Sequence, residues 1–455
     1  MENRILLFFT CCFTLLLSSC LGSDDEVEYD IAKNCQINSF VLAHDSIPTL
    51  STTKFTIDQL NNKIYNQDSL PYGTIVEKVV PTVTYISSVS IGAVQVIQEA
   101  TGDTIYWNGT DSLDYSKPVK FIITAYDGVT KKEYDTRLNV HQLIPDSMVW
   151  SQSSVSLPGT AVAERKVIAF TSEGSESYYM YTKETNGYHL YTASTSDLST
   201  WSSQELNGLP EEGISWNQLI EYETSLYVLS TDHKLYVSTD GENWSLVDNS
   251  PSIIALLGVV HEETTAKRPS ALAAIASVDG VTRFANMDKT GVWFEGDDVP
   301  AQFPISDFAS LSYNLMYRER LLLIGGKNTE GTVLADTWST MDGISWVSTT
   351  SDISFTAREG ASVALYDSTF FMIGGFDSEG AGLKDIYRSK DNGLTWMLSD
   401  SLVVMPEEYK ARGSASLIVD DKTNYMYLFG GKDSKGNNDL GDLWQGRINR
   451  LGFKK

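Results

Sequence analysis

Apolar and polar residues alternate in short runs along most of the chain, and no stretch keeps the spacing of an amphipathic helix. The pattern predicts strands at Ile37–Leu42, Thr82–Ile86, Val94–Ile97 and Val119–Tyr126. Asp127 and Gly128 then supply a turn and Glu133–Val140 carries the chain back, which reads as a hairpin. Short strands of this kind over residues 36–144 predict an immunoglobulin-like sandwich.

Beyond residue 146 a longer period is superimposed on the alternation. Trp150, Trp201, Trp244, Trp293, Trp346 and Trp396 are separated by steps of 51, 43, 49, 53 and 50 residues. A unit that returns about every fifty residues marks a propeller blade of four strands. Six such units fill residues 146–455. The last of them stops one strand short, while a lone apolar strand at 148–155 precedes the first. These two facts predict that strand 148–155 completes the final blade, so that the ring has no open edge. The predicted fold class is therefore all-β: an N-terminal immunoglobulin-like β-sandwich followed by a six-bladed β-propeller.

Five of the tryptophans follow an acidic turn: Asp197 before Trp201, Asp240 before Trp244, Asp288 before Trp293, Asp342 before Trp346 and Asp391 before Trp396. Ser389–Trp396, with Asp391 and Gly393, has Ser, Asp, Gly, Thr and Trp at every fixed place of the Asp-box. This resembles the Asp-box turns of sialidase-like propellers. The box is architectural: its Asp accepts backbone N–H bonds and its Gly takes a positive φ. Gly325-Gly326, Gly374-Gly375 and Gly430-Gly431 each end an apolar run and precede an aromatic, Trp338, Tyr387 or Trp444. That arrangement resembles the kelch repeat, over roughly 305–449. The stretch from Asp114 to Tyr134 resembles the cadherin-like sandwich modules of surface lipoproteins, which serve as spacers.

The start of the chain has a different character. Arg4 is followed by an apolar run from Ile5 to Leu17, too short to span a bilayer and suited to a signal peptide over residues 1–19. The run ends in Leu17-Ser18-Ser19-Cys20, which resembles the lipobox of bacterial lipoproteins; the resemblance implies lipidation of Cys20 and a place in the outer membrane, with possible surface exposure. Residues 20–35 then form an acidic tether with Asp24, Asp25, Glu26, Glu28 and Asp30. Cys11 and Cys12 fall in the leader, so only Cys35 stays a thiol and no internal disulfide is available. A hydrophobic content of 42% supports packed cores, and a formal charge of −25 disfavours nucleic acid as a partner.

The candidate chemistry is sparse. Arg358 and Arg412 hold matching places ahead of two successive blades, with Ser306 read as their counterpart one blade earlier and Glu359 beside Arg358. The kelch resemblance implies that such arginines ring the channel mouth and contact acidic ligands; a pairing of Arg358 with Glu359 or a loop carbonyl is the competing reading. The polar, glycine-rich loops around 327–336, 376–385 and 432–442 are turns that can also offer Asn and Asp to a sugar or a cation. A sialidase needs three arginines on one carboxylate, with Arg165, Arg283 or Arg318 as the third, and no Tyr–Glu pair is evident. Copper chemistry like that of galactose oxidase is excluded, because the propeller has no cysteine and only His189, His233 and His261. No cofactor or metal is implied. The sequence thus favours a binding module for a glycan, peptide or protein partner over an enzyme; the alternative is a kelch-type sugar mutarotase or a sialidase-like enzyme.

Overall fold

The computed structural model describes residues 33–264, 267–349, 351–434 and 439–450, and the chain divides into two compact units after Ile144. The leader, Cys20 and the acidic tether up to residue 32 lie outside the described residues.

In the N-terminal unit, Phe55–Asp58, Lys63–Asn66, Lys131–Arg137, Val119–Ala125, Ile91–Gln98 and Thr104–Tyr106 form one six-stranded sheet in that order. All neighbours are antiparallel except Lys63–Asn66 beside Lys131–Arg137. Ile37–Ala43 and Val80–Tyr85 make a second, two-stranded sheet. Alternation buries Val119, Phe121, Ile123 and Ala125 on one face, as the period of two requires. Phe40 of the small sheet meets Phe121 edge-on with centroids 6.0 Å apart, so the two layers share one core. An immunoglobulin sandwich divides its strands about evenly between two sheets. Here the division is six to two with a parallel pair, a pairing that alternation along single strands does not reveal. Cys35 is buried in this core.

The second unit is a β-propeller of six four-stranded antiparallel sheets. We number the blades in chain order and letter their strands a to d. Blades 1 to 5 span 164–204, 214–246, 252–298, 309–349 and 362–398. In blade 6, strands a to c are Ser416–Asp420, Tyr425–Phe429 and Leu443–Ile448, and strand d is Met148–Gln152. Gly446 stands opposite Trp150 in that last pairing. Each a strand touches the a strand of the next blade, and that of blade 6 touches that of blade 1, so the inner strands close a ring.

The five acidic turns all join strands c and d. In blades 2, 4 and 5 the Oδ1 of Asp240, Asp342 and Asp391 accepts backbone N–H bonds of 2.8–3.0 Å. Burial raises the Asp240 carboxyl, but bonds from Asn243, Glu242 and Ser238 outweigh it and bring its pKa down to about 2. Gly241, Gly343 and Gly393 follow with φ of +81°, +81° and +85°. A side chain on Gly241 would collide with Tyr179 and Tyr181 of blade 1, and one on Gly393 with Leu322 of blade 4. These glycines therefore let each turn wedge against the preceding blade. The six repeat tryptophans are not equivalent: Trp150, Trp244 and Trp396 are buried, while Trp201, Trp293 and Trp346 are half-buried at their blades' outer strands.

Trp150 lies over Gly446, where a built Cβ would come within 2.5 Å of its ring. Trp150→Ala is expected to cost the propeller about 3–5 kcal/mol, the usual penalty for emptying a buried tryptophan site. Trp201→Ala should cost clearly less. Urea titration followed by near-ultraviolet circular dichroism checks both, and equal losses would contradict the closing role of Trp150.

Candidate functional site

The arginines singled out in the sequence are turned into their own blades. Arg358 is fully buried; its Nη1 and Nη2 donate to Asp385 Oδ1 and Oδ2 at 2.7 and 3.0 Å, and Nη1 also reaches the Gly374 carbonyl at 2.9 Å. Arg412 repeats the pattern with Asp442 and the Gly430 carbonyl. Their guanidinium carbons stand 4.7 Å from the Tyr387 ring and 4.3 Å from the Tyr409 ring. Glu359 is buried and pairs with Lys327 at 2.7 Å, while the fork of Arg358 is taken by Asp385. The ligand-gripping role drawn from resemblance meets a geometric obstacle, since both forks are occupied by internal carboxylates.

The same geometry explains the paired glycines. Gly326 donates its N–H to the Arg358 carbonyl and Gly375 to that of Arg412, both at 2.9 Å. Gly325, at φ +62°, approaches so closely that a Cβ would sit 2.5 Å from the Arg358 carbonyl oxygen. Each arginine thus bridges the acid of its own blade and the glycine pair of the blade before. Bridges from Ser306 to Lys327, Glu359 to Phe376 and Gly413 to Lys432 align Ile305, not Ser306, with the two arginines. Arg165 is buried against Asp439 at 2.6 Å and the Pro158 carbonyl at 2.8 Å, and Arg283 pairs with Glu295 and Asp298 on its own blade. Three free arginines around one carboxylate, as a sialidase requires, are not assembled by these groups.

A concave site lies in the central channel. A cavity of about 420 Å³ is lined by a strands of all six blades, with Lys166, Ser215, Asn217, Gln218, Ser310, Ser362 and Ser416 among its polar groups. A second cavity of about 300 Å³ shares Ser215, Asn217 and Ser414 with it and adds Glu164, Lys183 and Lys432. The two form one polar cleft at the start of the a strands. Its wall is a ladder of backbone: Gly360 N–H donates to Asp307 at 2.6 Å and Ser414 N–H to Gly360 at 2.8 Å. Asp307, Gly360 and Ser414 take φ of +54°, +61° and +56°, a left-handed bend repeated in blades 4 to 6.

Glu164 and Lys166 reach this cleft from strand a of blade 1, beside Lys183 of strand b. Alternation along strand a sends Glu164 and Lys166 to the channel and Arg165 and Val167 into the core. Burial raises the Glu164 carboxyl above the usual range, against backbone N–H bonds from Asn217 (2.7 Å) and Trp216 and the fields of Lys183 and Lys432. Desolvation lowers the Lys166 ammonium, only partly opposed by Glu164. The Lys166 ammonium has no hydrogen bond or ion pair among the described residues. An acid inclined to hold its proton and an amine inclined to release one therefore share a hydroxyl-lined cleft. The sequence reading missed both; the signal was Glu164-Arg165-Lys166, charges at alternate places on an innermost strand.

Residues 144–455 match the family described as "DUF6242 beta propeller domain", and residues 30–138 match the N-terminal domain of the same family, "Domain of unknown function (DUF6242)". The chain belongs to the DUF6242 family. No curated protein matches it. A solved structure titled "Structure of YjhT" is 12% identical with a TM-score of 0.45, over 63% of this chain and 96% of that chain.

In this DUF6242 propeller, the lowered Lys166 makes a direct forecast. As pH rises from 7, its amine should lose its proton before the exposed lysines do. After reductive ¹³C-methylation, the dimethyl-lysine resonance that disappears in Lys166→Arg should titrate at a lower pH than the rest. A titration coincident with the surface lysines would contradict the desolvated setting.

Proposed function

We propose that the propeller is a glycan-binding module that takes its ligand at the channel mouth, beside Glu164 and Lys166. The observation that carries this reading is the lining: serines, Asn217 and Gln218 with an acid and an amine whose hydrogen-bonding capacity is not used up. Sugar hydroxyls need many short donors and acceptors fixed on a rigid frame, which the a strands supply. The opposed displacements of Glu164 and Lys166 also suit acid–base work at an anomeric carbon, so a mutarotase is the second reading.

A glycan array followed by calorimetry on the best ligand tests the site. Glu164→Gln and Lys166→Met should each weaken binding at least tenfold, by loss of charged hydrogen bonds. Undiminished affinity in both would sink the channel-mouth assignment, and anomer exchange seen by NMR and lost in Glu164→Gln would favour the enzyme.

The propeller is further proposed to be carried by an outer-membrane lipoprotein, anchored through acyl chains on Cys20. Two or more chains give lasting attachment where one gives only marginal binding. Cys20→Ala should move the protein from the membrane fraction to the soluble fraction and abolish palmitate labelling; retention at the membrane without label would refute the anchor.

A further inference from the structure

The N-terminal unit has an apolar tip at the end where the tether enters. Ile86, Val89, Tyr126 and Val129 are exposed by 54, 82, 71 and 81%. They belong to two neighbouring segments: Tyr126 donates its N–H to Ser90 at 2.7 Å, tying the hairpin turn after Val119–Ala125 to the turn before Ile91–Gln98. Asp127 holds the hairpin rigid by accepting from Val129 and Thr130 N–H at 2.9 and 2.8 Å. Scattered exposed hydrophobics need no explanation, but four side chains projecting from two adjoining rigid turns form a patch.

The path of the chain says what faces that patch. Ile86 N–H donates to the Gln36 carbonyl at 3.0 Å, and Lys33 lies within electrostatic range of Asp127, so residues 33–36 run alongside the tip. Strand Lys131–Arg137 starts at the tip and leads away from it, so the connection to residue 145 departs from the opposite end of the unit. Twelve residues separate Cys20 from Lys33, a contour of at most about 45 Å even if fully extended. Lys33 and Lys131, both exposed, flank the patch, in the place where interfacial proteins set cations among lipid headgroups, and Tyr126 has the amphipathic ring favoured at that depth.

We propose that this tip, Ile86, Val89, Tyr126 and Val129, inserts into the bilayer surface and holds the N-terminal unit upright on the membrane. The proposal rests on the anchor reading only for where the bilayer lies. The acyl chains retain the protein; the tip sets its orientation, with side chains reaching the boundary between headgroups and acyl chains. Two weak attachments then act together, because the tether keeps the tip at high local concentration.

The test uses the chain from residue 21 onward with an N-terminal hexahistidine tag, recruited to phosphatidylcholine vesicles that contain a nickel-chelating lipid. Cys35 is buried, so Val89→Cys can be labelled with an environment-sensitive nitrobenzoxadiazole dye, and Thr101→Cys, at the far end of Ile91–Gln98, serves as control. On recruitment the probe at 89 should shift to the blue and be quenched by brominated lipid at least threefold more than the probe at 101. Tyr126→Asp with Val129→Asp should abolish the difference while leaving recruitment intact. Equal responses at the two positions overturn the proposal. A probe at 89 that is already blue without vesicles overturns it too, since a segment of the chain itself would then cover the tip. The mass of Cys20 in the native protein tests the anchor separately: an unmodified cysteine refutes the anchor whatever the tip does on vesicles.

Discussion

Everything in the propeller depends on joining its two ends. A fan of six sheets with free first and last edges would expose unpaired backbone on both, and closure removes those edges. The closing pair is Met148–Gln152 against Leu443–Ile448, residues some three hundred positions apart, with Trp150 over Gly446. Further bonds span the same seam: Arg165 to Asp439, and the Val167 N–H to the Ser416 hydroxyl at 2.9 Å. Because the a strands converge on the axis only in a closed ring, the channel and its lining are consequences of this seam.

Once the ring is shut, two devices register blades against their predecessors, glycine turns in blades 2, 4 and 5 and buried arginines ahead of blades 5 and 6. On one side the acidic turns push a glycine into the neighbour's b or c strand. On the other, Arg358 and Arg412 tie acid, glycine carbonyl and the preceding blade's glycine amide into one buried knot. Leaving a buried guanidinium unpaired is expensive, so Arg358 and Arg412 are committed to holding blades together. That commitment is why the residues most conspicuous in the repeat are poor ligand groups, and why the proposed site is built from side chains that interrupt the repeat.

Glu164 and Lys166 are such side chains. They line the channel to which blade 2 contributes Asn217 and Gln218 and blades 4 to 6 contribute serines, and burial desolvates both. The result is a polar cleft in which the Glu164 carboxyl and the Lys166 ammonium are both displaced toward neutrality, among hydroxyls and amides. The glycan proposal rests on these polar groups.

Much of this architecture could be read along the chain. Period-two alternation marked the strands, the tryptophan spacing marked the blades, and Asp391 and Gly393 marked a turn, because each of these is dictated by local backbone geometry. The six-to-two division of the N-terminal sheets could not be read, since a parallel neighbour such as Lys131–Arg137 beside Lys63–Asn66 leaves no trace in either strand. The roles of Arg358, Glu359 and Arg412 were equally hidden: a guanidinium's partner depends on which carboxylate lies within reach, and Asp385 and Asp442 come within reach only when strand c folds back beside strand b. Local order is written in the spacing of residues, while charge pairing, burial and the displaced acidity of Glu164 and Lys166 arise from neighbours that tertiary folding alone brings together.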